Sequence, residues 1–173
     1  MNGLALILVL LFGGQAPQPP SRITRAALSG LEKNFDNRFE KGSGTDPFEL
    51  LGPTRAVYLE GYGVVFSAEL DLIVTPNLNP FHQVFTTAEK ARIHERKLQR
   101  LPLVKQDMRE MLIASAVSLE NLPPNEQVVL AVTLFHYSWE DSSGLPAQIV
   151  MQAERQKLLS NATRETAIRT VEF

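Results

Sequence analysis

Acid–base or metal chemistry in this 173-residue chain would have to come from three histidines, His82, His94 and His136, and from the carboxylates Glu69, Asp71 and Glu95. Catalytic zinc needs three fixed nitrogen or oxygen ligands and one open position, because the cation must be held while it activates a water. The residue types are present, but no two histidines stand one helical turn apart as in His-Glu-x-x-His. His82 falls in a loop, His94 on the apolar face of a helix and His136 near a strand end, so hydrogen-bonded histidines are expected in place of metal ligands. Glu69 and Asp71 stand two apart, on one face of a strand by alternation. With His136 they form the alternative catalytic set: two like charges raise one carboxyl's pKa, which suits a hydrolase if a cleft covers them. Polar residues opposite an apolar face already account for the pair, so solvation is the preferred reading.

Other catalytic templates fail on spacing. Gly42-Ser43-Gly44 precedes no Lys-Ser/Thr pair, and Gly61-Tyr62-Gly63 lacks both a third glycine and a helix opening after it, so neither is a phosphate loop. No Gly-x-Ser-x-Gly elbow exists. The chain has no cysteine, which excludes disulfides, thiolate metal sites and a cysteine nucleophile. No catalytic residue, metal or cofactor is expected. Interaction residues are better represented. Tyr62 at a glycine turn and Trp139, the single tryptophan, could anchor a partner. Arg92, Arg96 and Arg100 line one stripe of a helix rich in Lys and Arg, which could dock on anionic headgroups or an acidic protein.

The elements that must position these residues can be read from periodicity. Ser21 caps a helix over residues 21–40, in which Ile23, Ala27, Leu31, Phe35 and Phe39 recur every four positions. Asp46-Pro47 predicts one short helical turn closed by Gly52-Pro53. From Arg55 the period becomes two. Val64, Phe66, Ala68, Leu70 and Leu72 alternate with Ser67, Glu69 and Asp71, and the glycines supply a hairpin turn. Thr86-Thr87-Ala88-Glu89 is a capping box that opens a long helix. Its apolar face is read as Ala91, His94, Leu98 and Leu101, then Val104, Met108, Met111, Ser115 and Leu119, with a kink or break at Pro102. Residues 127–137, QVVLAVTLFHY, predict a central strand, residues 147–151 a returning strand, and residues 154–159 a short helix. Residues 167–173 read as a frayed helix or an edge strand. The order predicts an α+β fold: an antiparallel sheet of two hairpins with amphipathic helices packed mainly on one face.

Residues 4–12, LALILVLLF, form an apolar run that Gly13 and Gly14 end at about half the roughly 20 residues a membrane-spanning helix needs. This length suits a signal peptide over residues 1–16. A linker and N-terminal helix follow over residues 17–54, and the rest of one globular unit over residues 55–173. Lys+Arg 17 against Asp+Glu 19 gives a net charge of -2, so no basic field argues for nucleic acid. The segment Tyr58-Leu59-Glu60-Gly61-Tyr62-Gly63-Val64-Val65-Phe66, and Phe135 through Asp141 continued by Gly144-Leu145-Pro146, together with the apolar start, are similar to uncharacterised exported bacterial proteins. The resemblance covers the two hairpins. It implies a periplasmic or extracellular location and no activity. The function expected is a non-catalytic binding domain for a protein or envelope component, the alternatives being the hydrolase and a peripheral membrane-surface protein.

Overall fold

A computed structural model of the protein describes residues 23–41, 47–74 and 85–173. The signal-like run, the Pro-rich spacer and His82 lie outside them. The described chain runs α1 (Arg25–Lys41), β1 (Glu49–Leu50), β2 (Arg55–Leu59), β3 (Gly63–Asp71), α2 (Thr87–Ser118), β4 (Gln127–Leu134), β5 (Gln148–Glu154), α3 (Arg155–Leu159), α4 (Arg164–Ala167) and β6 (Arg169–Glu172). The six strands form one sheet in the order β1-β3-β4-β5-β6, with β2 sharing the β3 edge with β1. Every pairing is antiparallel except β3 with β4, which run parallel from Gly63↔Gln127 to Leu70↔Leu134. A parallel pair needs a crossover, and α2 supplies it.

Alternation decides which face is covered. Val64, Phe66 and Leu70 on β3, Val128, Leu130 and Val132 on β4, and Ile149 and Met151 on β5 point one way and form the core with Leu28, Leu31, Phe35 and Phe39 of α1 and Val104, Met108 and Leu112 of α2. Both long helices therefore lie on this face, and the fold is α+β with its helices on one side. The opposite face carries Val57 and Leu59 of β2, Val65 of β3, Ala131 of β4 and Val150 of β5, which remain partly or largely exposed.

Helix α1 also closes a sheet edge. The amide of Ala56 donates to Glu32 Oε1 at 2.7 Å, Arg25 Nη1 donates to the Ala56 carbonyl at 3.1 Å, and the amide of Thr54 donates to Asp36 Oδ1 at 2.8 Å. Arg25 and Glu32 pair with each other at 2.6 Å. Helix side chains thus satisfy β2 groups that another strand could otherwise have claimed. Replacing Glu32 by Ala should lower unfolding free energy by about 1–3 kcal/mol, since it strands a part-buried amide, while Glu32→Gln should cost less because an acceptor remains. Urea denaturation of the two variants checks this.

Several expectations change. Residues 49–50 pair with β3 as a strand where a helical turn was expected. Helix α2 is one continuous element through Pro102, so no break divides it; the threonine–glutamate capping box at its start is present as expected. In its first half the buried residues are Lys97 and Arg100, while Ala91 and Leu98 are exposed. In α1 the buried stripe takes Leu28 in place of Ala27. The strand read over residues 127–137 stops at Leu134, and residues 169–172 form an edge strand.

Candidate functional site

At the carboxyl ends of β3 and β4, where their parallel chains deliver side chains toward α2, a charged cluster is buried. Lys97 Nζ lies 2.8 Å from Asp71 Oδ1 and 2.5 Å from Glu140 Oε2, with all three side chains no more than 2% exposed. It also donates to the Phe135 carbonyl at 3.3 Å. His136 Nδ1 stands 3.7 Å from Glu140 Oε2. Asp71 closes its own strand: its Oδ1 accepts from the Ile73 amide at 3.2 Å, and the chain bends at Leu72 and Ile73. The bend is why the alternation that paired Asp71 with Glu69 fails. Glu69 stays exposed on the opposite face while Asp71 turns inward. Burial, then the carboxylates of Glu49, Asp71 and Glu140, push the Tyr137 hydroxyl above the ordinary phenol range.

Two carboxylates sharing one ammonium act as a clamp: they tie the segment after β4 to α2 and to the end of β3. Charges so buried persist only because each meets an opposite one. Among the described residues no group of three His, Asp or Glu side chains is placed to hold a metal ion. His94 is half-buried, and its Nδ1 lies 2.8 Å from the Asp141 carbonyl oxygen.

Beyond the clamp lies an aromatic stack. Phe135 meets Tyr137 edge-on at 4.8 Å between ring centres, Tyr137 stacks on Trp139 at 5.5 Å, and Trp139 on Phe85 at 4.5 Å. Lys90 Nζ sits 6.0 Å from the centre of the Trp139 ring. Trp139 is therefore half-buried among aromatics and is not a free-standing anchor. A cleft of about 180 Å³ near the start of α2 includes Ile73, Val74, Phe85, Arg92, Ile93 and Arg96 in its wall. Arg92 and Arg96 are exposed, but Arg100 is 6% exposed, with its guanidinium 4.5 Å from the Phe48 ring centre. The expected three-arginine stripe is thus broken, because one turn down the helix the same face meets the core.

The largest exposed apolar side chains gathered in one place belong to the β2–β3 hairpin: Val57 at 49%, Leu59 at 46% and Tyr62 at 44% exposure. The hairpin is held firmly. The Tyr62 amide donates to the Leu59 carbonyl at 3.0 Å, the Gln127 amide donates to the Tyr62 carbonyl at 2.8 Å, and Glu126 Oε1 receives the Gly61 amide at 3.2 Å. The sheet register places the half-buried Val65 beside Val57, next to the buried Val129, with the half-buried Ala131 and Val150 facing each other in a neighbouring row. Sequence reasoning singled out Tyr62 but missed Val57 and Leu59 as surface residues and Lys97 and Glu140 as a buried pair. Among the described residues no helix is long and apolar enough to cross a membrane. No family model, curated protein or solved structure matches the chain.

Proposed function

We propose that this protein is a non-catalytic interaction domain, exported to the bacterial cell envelope, that holds a protein or another envelope component against the outer face of its β2–β3 hairpin. The observation that carries the reading is the exposure of Val57, Leu59 and Tyr62 together on one hairpin, with the half-buried Val65 beside Val57. Such a patch on an otherwise mixed surface marks an interaction site. A preformed backbone lets apolar contact area convert to affinity without an ordering cost. The buried clamp supports the non-catalytic half of the reading: Asp71 and Glu140 are both engaged by Lys97 in the interior, and Glu69 of the alternative hydrolase set lies exposed on the other side of the sheet.

A photoreactive residue in place of Tyr62 should give a discrete cross-linked adduct in intact cells, lost when Val57 and Leu59 are both replaced by Lys. The same probe at Lys33, exposed on α1, should give none. Identical patterns from both positions would refute the assignment. Export is tested separately by the mass of the recovered chain: the expected N-terminus lies near Pro17, and recovery of cytosolic protein beginning at Met1 would overturn that part.

A further inference from the structure

Strand β6 differs from β2 in having an open edge. Phe173 and Gln148 exchange both backbone hydrogen bonds, at 3.0 and 3.4 Å, and the register continues as Ile149↔Glu172, Val150↔Val171 and Met151↔Thr170. Bonded and non-bonded pairs alternate along an antiparallel ladder. Val171 therefore turns its amide and carbonyl toward β5, while Thr170 and Glu172 turn theirs outward, where no described group meets them.

We propose that this edge pairs with the same edge of a second copy of the chain, antiparallel and centred on Val171, to make one continuous sheet. Two-fold pairing within a sheet keeps both copies the same way up, so only residues on the same face come opposite each other. Centring on Glu172 or on Arg169 would oppose like charges, which destabilises a pair. Centring on Thr170 would set Glu172 against Ile168, beyond the strand. Centring on Val171 sets Thr170 against Glu172 of the second copy, so that the outward groups of each bond the other. The half-buried Val171 then meets its own copy, and the outer-face row Ala131, Val150, Val171 runs on into the same row reversed. Charge at an edge strand normally repels such pairing. Here Glu172 is already held by Lys105 at 2.6 Å.

Because the chain has no cysteine, Val171→Cys introduces a single thiol. Residues facing each other in a non-bonded antiparallel pair have Cα atoms about 4.5 Å apart, within disulfide range. The purified Val171→Cys protein should cross-link to a dimer under mild oxidation, whereas Arg169→Cys, which lies across from Phe173 of the second copy, should not. Analytical ultracentrifugation of the unmodified protein should show reversible dimerisation. Val171→Lys, opposing two ammonium groups at the axis, should weaken it about tenfold or more. Cross-linking no faster at 171 than at 169, or a monomer at millimolar concentration, overturns the proposal. Lysine at Val57 and Leu59 leaves this dimer unchanged, so failure here is distinguishable from failure of the partner-binding surface.

Discussion

Replacing Lys97 by Met should lower the free energy of unfolding by about 3–5 kcal/mol, the range seen when one member of a buried charge group is removed and the others are stranded. The side chain is 1% exposed and serves two carboxylates and a carbonyl, so the loss leaves Asp71 and Glu140 in the interior with no cation. Protonating them or exposing them costs more than the methionine gains by packing. The informative comparison is the triple variant Lys97→Met, Asp71→Leu, Glu140→Leu. Removing all three charges removes the stranded carboxylates, so it should recover most of what Lys97→Met loses. Urea denaturation monitored through Trp139, which stacks two residues beyond Tyr137 in the clamped segment, reads both. If Lys97→Met unfolds at the same urea concentration as the unmodified protein, the clamp contributes nothing.

Gly63→Ala should be comparably damaging, and for a backbone reason. Gly63 opens the parallel pairing of β3 with β4 at φ 139°, and a Cβ there would lie 2.0 Å from the Gln127 carbonyl oxygen and 2.6 Å from its nitrogen. Those are main-chain atoms of a central strand that cannot step aside, so the start of the ladder must separate. The expected loss is about 3 kcal/mol or more, from positive-φ strain plus disrupted pairing. Gly61, at φ 78° in the same turn, has no atom within 4 Å of the position a Cβ would take. Gly61→Ala should therefore cost only the left-handed backbone penalty, about 1–2 kcal/mol. Equal losses for the two variants would mean that the close approach to Gln127 is not what requires glycine at 63.

The charged residues of α2 show how a helix can be read correctly in outline and wrongly in phase. Val104, Met108, Met111 and Ser115 mark the buried stripe, and stepping back from Val104 by one turn and then two lands on Arg100 or Leu101 and on Lys97. Leu101, Leu98 and His94 look like the natural continuation because they are the less polar choices. The chain instead buries Lys97 and Arg100, since the carboxylates that neutralise Lys97 and the Phe48 ring that receives Arg100 come from far along the sequence. No local period carries information about a partner 26 or 43 positions away.

What the amino-acid sequence determined by itself is whatever short-range physics controls. The capping box fixed the start of α2, alternation fixed which residues of β3 face the core, and the glycines of the hairpin turn follow from the positive φ that Gly61 and Gly63 adopt. Side-chain period and backbone sterics act over a few residues, so they are legible in a line of text. Tertiary structure alone decided that β3 and β4 run parallel, that Asp71 leaves the face it shares with Glu69, that Arg100 is lost from the surface stripe, and that Val57 and Leu59 stay outside. Each of these depends on which distant segment arrives as neighbour, and burial of a charge or exposure of an aliphatic side chain is a property of that meeting.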